Sequence, residues 1–305
     1  MERLVPMVSV VIPTFRRPQF LNQALDSVYA QTFKDFEVIV ADDGSGAEFT
    51  SQYNLRPDTK LVCNSESGTS SAISRNLGTR IARGRYVAYL DDDDVWMPDK
   101  LQKQVCVLEE DPNIGLTYCH HTLVDEDLRP LEPQPTPKIL PPDCMWVLVC
   151  KNMIKSPSCV LMRRAVLDKC GLFDEHLDIS EDWEMWARAS CLYSFHADPA
   201  PLVLYRTHSA QKTASGITAR RLGHVQVAEC IYEWVEKDAP EVLPVVRRSL
   251  AFRLQKLSRW QACDGNYRSA LKTIRRSIAL CPGDIRSYTR LVQIAWYALR
   301  YHGRH

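Results

Sequence analysis

Glycine is scarce, at 12 of 305 residues, and proline is modest at 18, which excludes a collagen-like or low-complexity chain. The eleven cysteines, scattered from Cys63 to Cys281, form no C-x-x-C pair, so neither a zinc ribbon nor a thioredoxin-like motif is expected. Several sit in apolar runs: Cys150 follows Trp146-Val-Leu-Val, and Cys159 precedes Val-Leu-Met. They read as reduced thiols acting as small hydrophobes. Long uncharged runs are also missing. Leu291 to Leu299 is nine residues, and a spanning helix needs about twenty. The opening Met-Glu-Arg-Leu-Val-Pro has no apolar signal-peptide core, so a cytoplasmic protein is expected.

What remains is ordinary globular material, 45% hydrophobic and 25% charged, of a length that suggests two compact units. The net charge of +1 hides an asymmetry. Residues 211–305 carry 17 Lys and Arg against 7 Asp and Glu, a net of +10, which leaves −9 for residues 1–210. Regions of opposite charge are expected to do different jobs.

Residues 1–210 alternate strand and helix patterns. Val8-Ser-Val-Val-Ile is a β-branched run stopped by Pro13, and Gln19–Gln31 carries apolar residues at helical spacing. Phe36-Glu-Val-Ile-Val leads to the turn Asp42-Asp43-Gly44-Ser45, and Leu61-Val62-Cys63 precedes a helix running through Ile81. Tyr86-Val-Ala-Tyr-Leu90 runs straight into four aspartates. This alternation predicts an α/β fold with a mixed, mostly parallel, Rossmann-like sheet, which binds ligands beyond the carboxyl ends of its strands. Six prolines between Pro130 and Pro142 predict an exposed loop. From residue 211 onward the period is helical throughout, with turns at Asp238-Ala-Pro, Asp264-Gly and Pro282-Gly-Asp, so an all-α region is expected there.

Three strand ends carry polar or acidic groups: Thr14, Asp42-Asp43 and Asp91 to Asp94. In a parallel sheet they share one rim. Four consecutive carboxylates repel one another and raise each other's pKa. A divalent cation with oxygen ligands, Mg²⁺ or Mn²⁺, removes that conflict.

Several segments together resemble family 2 glycosyltransferases. They are Val8-Ser-Val-Val-Ile-Pro-Thr-Phe-Arg-Arg, Ser27 through Ala41-Asp-Asp-Gly-Ser, Ser74-Arg-Asn-Leu-Gly to Tyr86, Leu90-Asp-Asp-Asp-Asp-Val-Trp, Gly171-Leu-Phe-Asp-Glu with Ser180-Glu-Asp-Trp, and Leu204-Tyr-Arg-Thr-His208. The match spans roughly residues 7–210 and leaves the helical region uncovered. It implies a GT-A catalytic domain over 1–210 with a helical appendage over 211–305. It also implies an inverting, metal-dependent hexosyltransferase. Such an enzyme moves sugar from a nucleotide-sugar, a UDP-sugar by expectation, to a glycan or lipid-linked hydroxyl in polysaccharide or glycoconjugate synthesis. Two alternatives stay open, a sugar-phosphate nucleotidyltransferase and a non-catalytic scaffold. The first would call for a glycine-rich loop after the first strand, which Pro13-Thr-Phe-Arg-Arg-Pro does not provide.

Carried over by this resemblance, Asp43 would hydrogen-bond the uracil, Thr14 and Arg16 would line the nucleotide pocket, and Arg75 would contact nucleotide or diphosphate. Asp91, Asp92 and Asp93 match the D-x-D segment, with Asp93 the metal ligand and Asp92 nearer the ribose or donor sugar. Asp94 is then a supporting group. Asp182 matches the catalytic base, with Glu181 in support. His208 is either a metal or diphosphate ligand or an ordinary surface histidine, and His120-His121 is read as structural. Trp183, Trp186 and Trp146 could stack on acceptor sugars or pack in the core. No nucleic-acid partner is expected. The basic helices suit peripheral contact with the inner face of a membrane, a homo-oligomer, or packing alone.

Overall fold

The computed structural model describes residues 5–137, 139–208 and 217–301. The expected boundary at 210/211 lies outside the described residues. Eight strands form one sheet: β1 (Val8–Thr14), β2 (Phe36–Asp42), β3 (Lys60–Cys63), β4 (Tyr86–Tyr89), β5 (Val95–Trp96), β6 (Ile114–Val124), β7 (Val160–Arg163) and β8 (Ser194–Arg206). Their order is β3-β2-β1-β4-β7-β6-β8-β5. The half containing β3, β2, β1 and β4 is parallel throughout. β7 runs antiparallel to both β4 and β6, β5 runs antiparallel to β8, and β6 pairs parallel with β8. The sheet is therefore mixed, with a Rossmann-like parallel half.

β1 is buried along its whole length, as a β-branched strand covered on both faces should be. Against it pack Leu21, Leu25 and Val28 of α1 (Pro18–Tyr29), which opens on Pro18, where the missing N–H costs nothing. α2 (Ala47–Thr50) is a single turn. α3 (Ser71–Ile81) starts at Ser70, whose hydroxyl accepts from the Ile73 N–H at 3.2 Å. α4 (Lys100–Glu110), α5 (Met145–Leu148), α6 (Arg164–Cys170) and α7 (Glu181–Leu192) follow. The proline-rich stretch forms no helix or strand among its described residues.

Four longer helices complete the chain: α8 (Ile217–Asp238), α9 (Leu243–Cys263), α10 (Tyr267–Leu280) and α11 (Ile285–Tyr301). The three expected turns fall between them. Packing divides the chain into two compact units. One comprises Met1–Met145, Asn152–His176 and Ala189–Ser209, and the other Trp146–Lys151, Leu177–Arg188 and Ala210–His305. In the second unit, Ala270, Ile274 and Ile294 form a small core with Leu291, and Gln255 donates to Asp284 and Ser287, both at 2.8 Å. All eleven cysteines are free thiols, and Cys119, Cys144, Cys159 and Cys170 are buried.

Candidate active site

Because β1, β2 and β4 are parallel neighbours, Thr14, Asp42 and the loop after β4 share the carboxyl rim of the sheet. Thr14 Oγ1 donates to Asp92 Oδ2 at 2.8 Å, a bond between residues 78 positions apart. The Arg17 guanidinium lies 2.7 Å from Asp92 Oδ1 and 3.0 Å from Asp93 Oδ2. Burial pushes the Asp92 carboxyl up to about 7, even though Arg17 and the Thr14 hydroxyl favour its charge; Asp93 and Asp91 add to the push. Asp94 is also raised well above the carboxylate range, chiefly by burial and then by Asp93 and Asp91. The rim holds more negative charge than its own cations balance.

The loop keeps its shape through serine hydroxyls and buried arginines. Ser156 Oγ reaches both Asp91 Oδ2 (3.3 Å) and Asp94 Oδ2 (3.2 Å), and Ser158 Oγ accepts from the Asp91 N–H at 3.0 Å. Arg206, fully buried on β8, donates its backbone N–H to Asp94 Oδ1 at 3.1 Å and its Nε–H to the Asp93 carbonyl at 2.8 Å. Arg75 is buried on α3, with Nη2 2.5 Å from Asp91 Oδ1 and its guanidinium over the Phe173 ring. His208 Nε2 lies 3.0 Å from Asp93 Oδ2, and its ring packs on Phe20. His208 is therefore in the acidic site and not at an ordinary surface position.

At the end of β2, Asp43 accepts from Thr69 Oγ1 (2.6 Å) and Asn64 Nδ2 (3.2 Å). Asp42 instead braces the turn, accepting from Tyr53 Oη at 2.7 Å and the Ser45 N–H at 2.8 Å. Gly44 has φ +73°, and a Cβ there would run into the Glu66 carbonyl, so the turn requires glycine. Arg16 also has a positive φ, +52°, held by its N–H to Ser45 Oγ at 2.8 Å, and its guanidinium sits over Phe15 and Phe49. A non-glycine residue in that region stores about 1 kcal/mol of strain.

Glu181 and Asp182 begin α7, where the helix dipole favours carboxylates, and both are buried. Asp182 Oδ1 accepts from the Trp183 N–H at 2.7 Å. This pair belongs to the second unit, whereas the acidic rim belongs to the first. Of the three tryptophans that the sequence leaves open to sugar stacking or core packing, two are core residues. Trp183 is 1% exposed, donates its indole N–H to the Leu148 carbonyl at 2.6 Å and carries the Arg253 guanidinium 4.2 Å over its ring; Trp186 is fully buried. Neither presents a ring face to a sugar. Trp146 is 47% exposed.

Arg17 and Arg206 are functional neighbours that sequence reasoning missed. Arg17 follows Arg16 directly, and only the turn at Arg16 decides which arginine faces the aspartates. Arg206 stands two residues before His208 in the same motif, which was the available signal.

Donor chemistry on the rim fits a hard divalent ion: Asp93 supplies carboxylate oxygen and His208 imidazole nitrogen, beside an under-neutralised carboxylate, Asp92. Among the described residues no three His, Cys, Asp or Glu side chains converge as a complete ligand group. Mg²⁺ and Mn²⁺ suit such a partial set, since they take further ligands from a bound diphosphate and water.

The model of the family described as "Glycosyl transferase family 2" matches residues 9–171, just over half of the chain. An uncharacterized glycosyltransferase of Rickettsia prowazekii is 27% identical over 311 residues, which cover 98% of this chain and 92% of that protein. Among solved structures, residues 1–349 of TarS from S. aureus align over 98% of this chain and 92% of theirs, with a TM-score of 0.66 and 18% identity. That TarS fragment has also been solved with UDP and with UDP-GlcNAc. The mannosyltransferase PcManGT from Pyrobaculum calidifontis, in complex with GDP-Man and Mn²⁺, aligns over 98% of this chain and 82% of its own, with a TM-score of 0.58 and 21% identity. These likenesses show the GT-A fold that the sequence leads one to expect.

Proposed function

The chain belongs to glycosyl transferase family 2, and we propose that it is an inverting enzyme transferring sugar from a UDP-sugar, with Mn²⁺ or Mg²⁺, to a hydroxyl of a glycan or lipid-linked acceptor. Family membership argues against the nucleotidyltransferase alternative. The observation that carries the proposal is the convergence of Thr14, Arg17, Asp92, Asp93 and His208 at the carboxyl rim, with more acid than the chain's own cations neutralise. The complexes of TarS with UDP and UDP-GlcNAc favour uracil as the base. The Mn²⁺ of the mannosyltransferase complex supports a divalent metal.

In this reading Asp43 accepts a hydrogen bond from the uracil edge, fixed in place by Thr69 and Asn64. Arg16 and Thr14 line the nucleotide pocket, and Arg75 sets the position of Asp91. Asp93 and His208 would hold the metal, which supplies Lewis-acid neutralisation of the departing diphosphate. Asp92, held by Thr14, faces the ribose or donor sugar. Asp182 takes the proton of the acceptor hydroxyl as that oxygen attacks the anomeric carbon, with Glu181 in support. Its assignment rests on the Ser180-Glu-Asp-Trp motif. Trp146 is the remaining candidate platform for the acceptor.

Titration calorimetry with UDP, with and without Mn²⁺, tests the site directly. Asp93→Ala should abolish the metal-dependent part of UDP binding and leave the circular dichroism spectrum unchanged. Equal UDP affinity in wild type and variant, with and without EDTA, overturns the metal assignment. A panel of UDP-, GDP- and dTDP-sugars, scored for donor hydrolysis, then tests the base.

A further inference from the structure

α11 has two apolar faces, and only one of them is buried against other described residues. On the inner side Ile294 is buried and Leu291 packs with it against Ala270 and Ile274 of α10, while Ser287 is buried against Gln255 of α9 and Ser277 of α10. On the outer side Ile285 (77% exposed), Tyr288 (42%), Val292 (67%), Trp296 (49%) and Leu299 (84%) face outward. At 100° per residue these five fall within an arc of roughly 80°. The sequence period alone merges Leu291 with this stripe; the packing separates the two.

The charges carried by α10 and α11 themselves are of one sign. α11 contains Arg286, Arg290 and Arg300 and no acidic residue. α10 contains Arg268, Lys272, Arg275 and Arg276, again with no acidic residue. Asp284 pairs with Arg286 and Glu229 with Arg276, while Arg268, Lys272 and Arg275 have no ion pair with a described residue. They line a concavity of about 770 Å³ on the exposed side of α10. The Arg300 guanidinium lies 4.8 Å over the Trp296 ring, so an aromatic group and a cation cap the stripe together.

We propose that the outer face of α11 is a membrane-docking surface that settles among the headgroups of an anionic phospholipid bilayer. A protein partner's patch mixes hydrogen-bonding groups into its apolar core, about one bond per 100–200 Å². Here the stripe offers the hydroxyl of Tyr288 and the indole N–H of Trp296, both at home at the depth of headgroups. A narrow apolar arc with Trp within it and arginine alongside is the pattern of a helix lying in the interface plane. No described helix is long and apolar enough to cross a membrane, so the contact is with the surface.

Flotation of the full chain on a density gradient tests it, with vesicles of phosphatidylcholine alone and of equal parts phosphatidylcholine and phosphatidylglycerol. Wild type should float with the mixed vesicles, and far less with the neutral ones. Each basic residue near an anionic surface strengthens binding about fivefold, so Arg286→Glu with Arg300→Glu should weaken it more than tenfold. Val292→Asp with Trp296→Asp should leave the protein at the bottom of the gradient. Both positions are exposed, so circular dichroism and UDP binding should match wild type, which separates failure of this surface from failure of the catalytic reading. Wild type remaining at the bottom with both vesicles overturns the proposal, and so does a double aspartate variant that floats like wild type. A dimer seen by light scattering in wild type and lost in that variant also overturns it, because a second copy then covers the stripe.

Discussion

The carboxyl rim of the sheet and the helices α8–α11 treat buried polarity in opposite ways. The rim buries Asp92 and Asp94 and supports them with Arg17, Arg206 and serines, leaving two carboxyls with raised pKa. Among their described residues the helices fully bury only neutral polar groups, Gln255, Ser258, Thr273, Ser277 and Ser287, and keep most of their cations outside. Arg253, over the Trp183 ring and with its pKa lowered by burial to about 10, is the exception. One arrangement specifies a packed bundle at low electrostatic cost. The other keeps an imbalance that packing alone would select against, and that a cationic ligand relieves. Unrelieved buried charge is therefore the sharper marker of the site than acidity as such.

The largest effect expected separates chemistry from binding. Asp182→Asn keeps size and hydrogen bonding but removes basicity, so turnover should fall by about 10²–10⁴ with UDP affinity little changed. Near-normal turnover would move the search for the base to Glu181.

Next comes the packing side of the comparison. Trp183→Ala empties a filled site in the second unit and should cost about 3–5 kcal/mol, read by urea unfolding followed with circular dichroism. A cost under about 1 kcal/mol would return Trp183 to the list of ligand-facing residues.

Arg17→Gln breaks the rim's own compensation, leaving Asp92 and Asp93 without the guanidinium between them. The metal-free protein should lose about 2 kcal/mol at pH 8, and saturating Mn²⁺ with UDP should narrow the gap. Acidification through about 7 protonates Asp92 and should narrow it as well. A gap that neither treatment alters would mean that Arg17 contributes packing and not charge.

The smallest effect concerns Lys100, a fully buried ammonium under the sheet, bonded to Gln104 Oε1 at 2.7 Å and 4.1 Å over the Trp96 ring. Burial lowers its pKa from 10.5 to about 8. The folded state thus binds fewer protons than the unfolded chain between those values, and stability rises with pH across that window. Between about pH 7 and 9, wild type should gain about 1 kcal/mol relative to Lys100→Met. Parallel pH profiles for the two proteins would contradict the burial argument.

Much of this fold was legible because its strands are β-branched and end on turn residues. Val8–Thr14 and Phe36–Asp42 are legible in that way, and α10 lies where the helical period puts it. The acidic rim was legible too, since Asp91–Asp94 follow a strand without interruption. What periodicity does not carry is direction. Arg16 and Arg17 are adjacent and chemically alike, and a positive φ at one decides which reaches the aspartates. Trp183 and Trp186 lie one turn apart on a helix that is buried on nearly every side, a fact of tertiary packing that a tryptophan count does not contain. His208 was ambiguous for the opposite reason: its partner, Asp93, is 115 positions away.

That separation has a kinetic consequence. The contacts that assemble the rim join Thr14 to Asp92, Asp93 to His208 and Gln23 to Arg206, spans of 78, 115 and 183 residues. Contacts that close such long loops form late, because their chain-entropy cost falls due before they stabilise anything. During refolding, helical signal should therefore recover first and UDP binding last. If the proposed site is right, nucleotide binding reports completion of the first unit, and a nascent chain should gain metal-dependent donor binding only once the segment carrying His208 has been made.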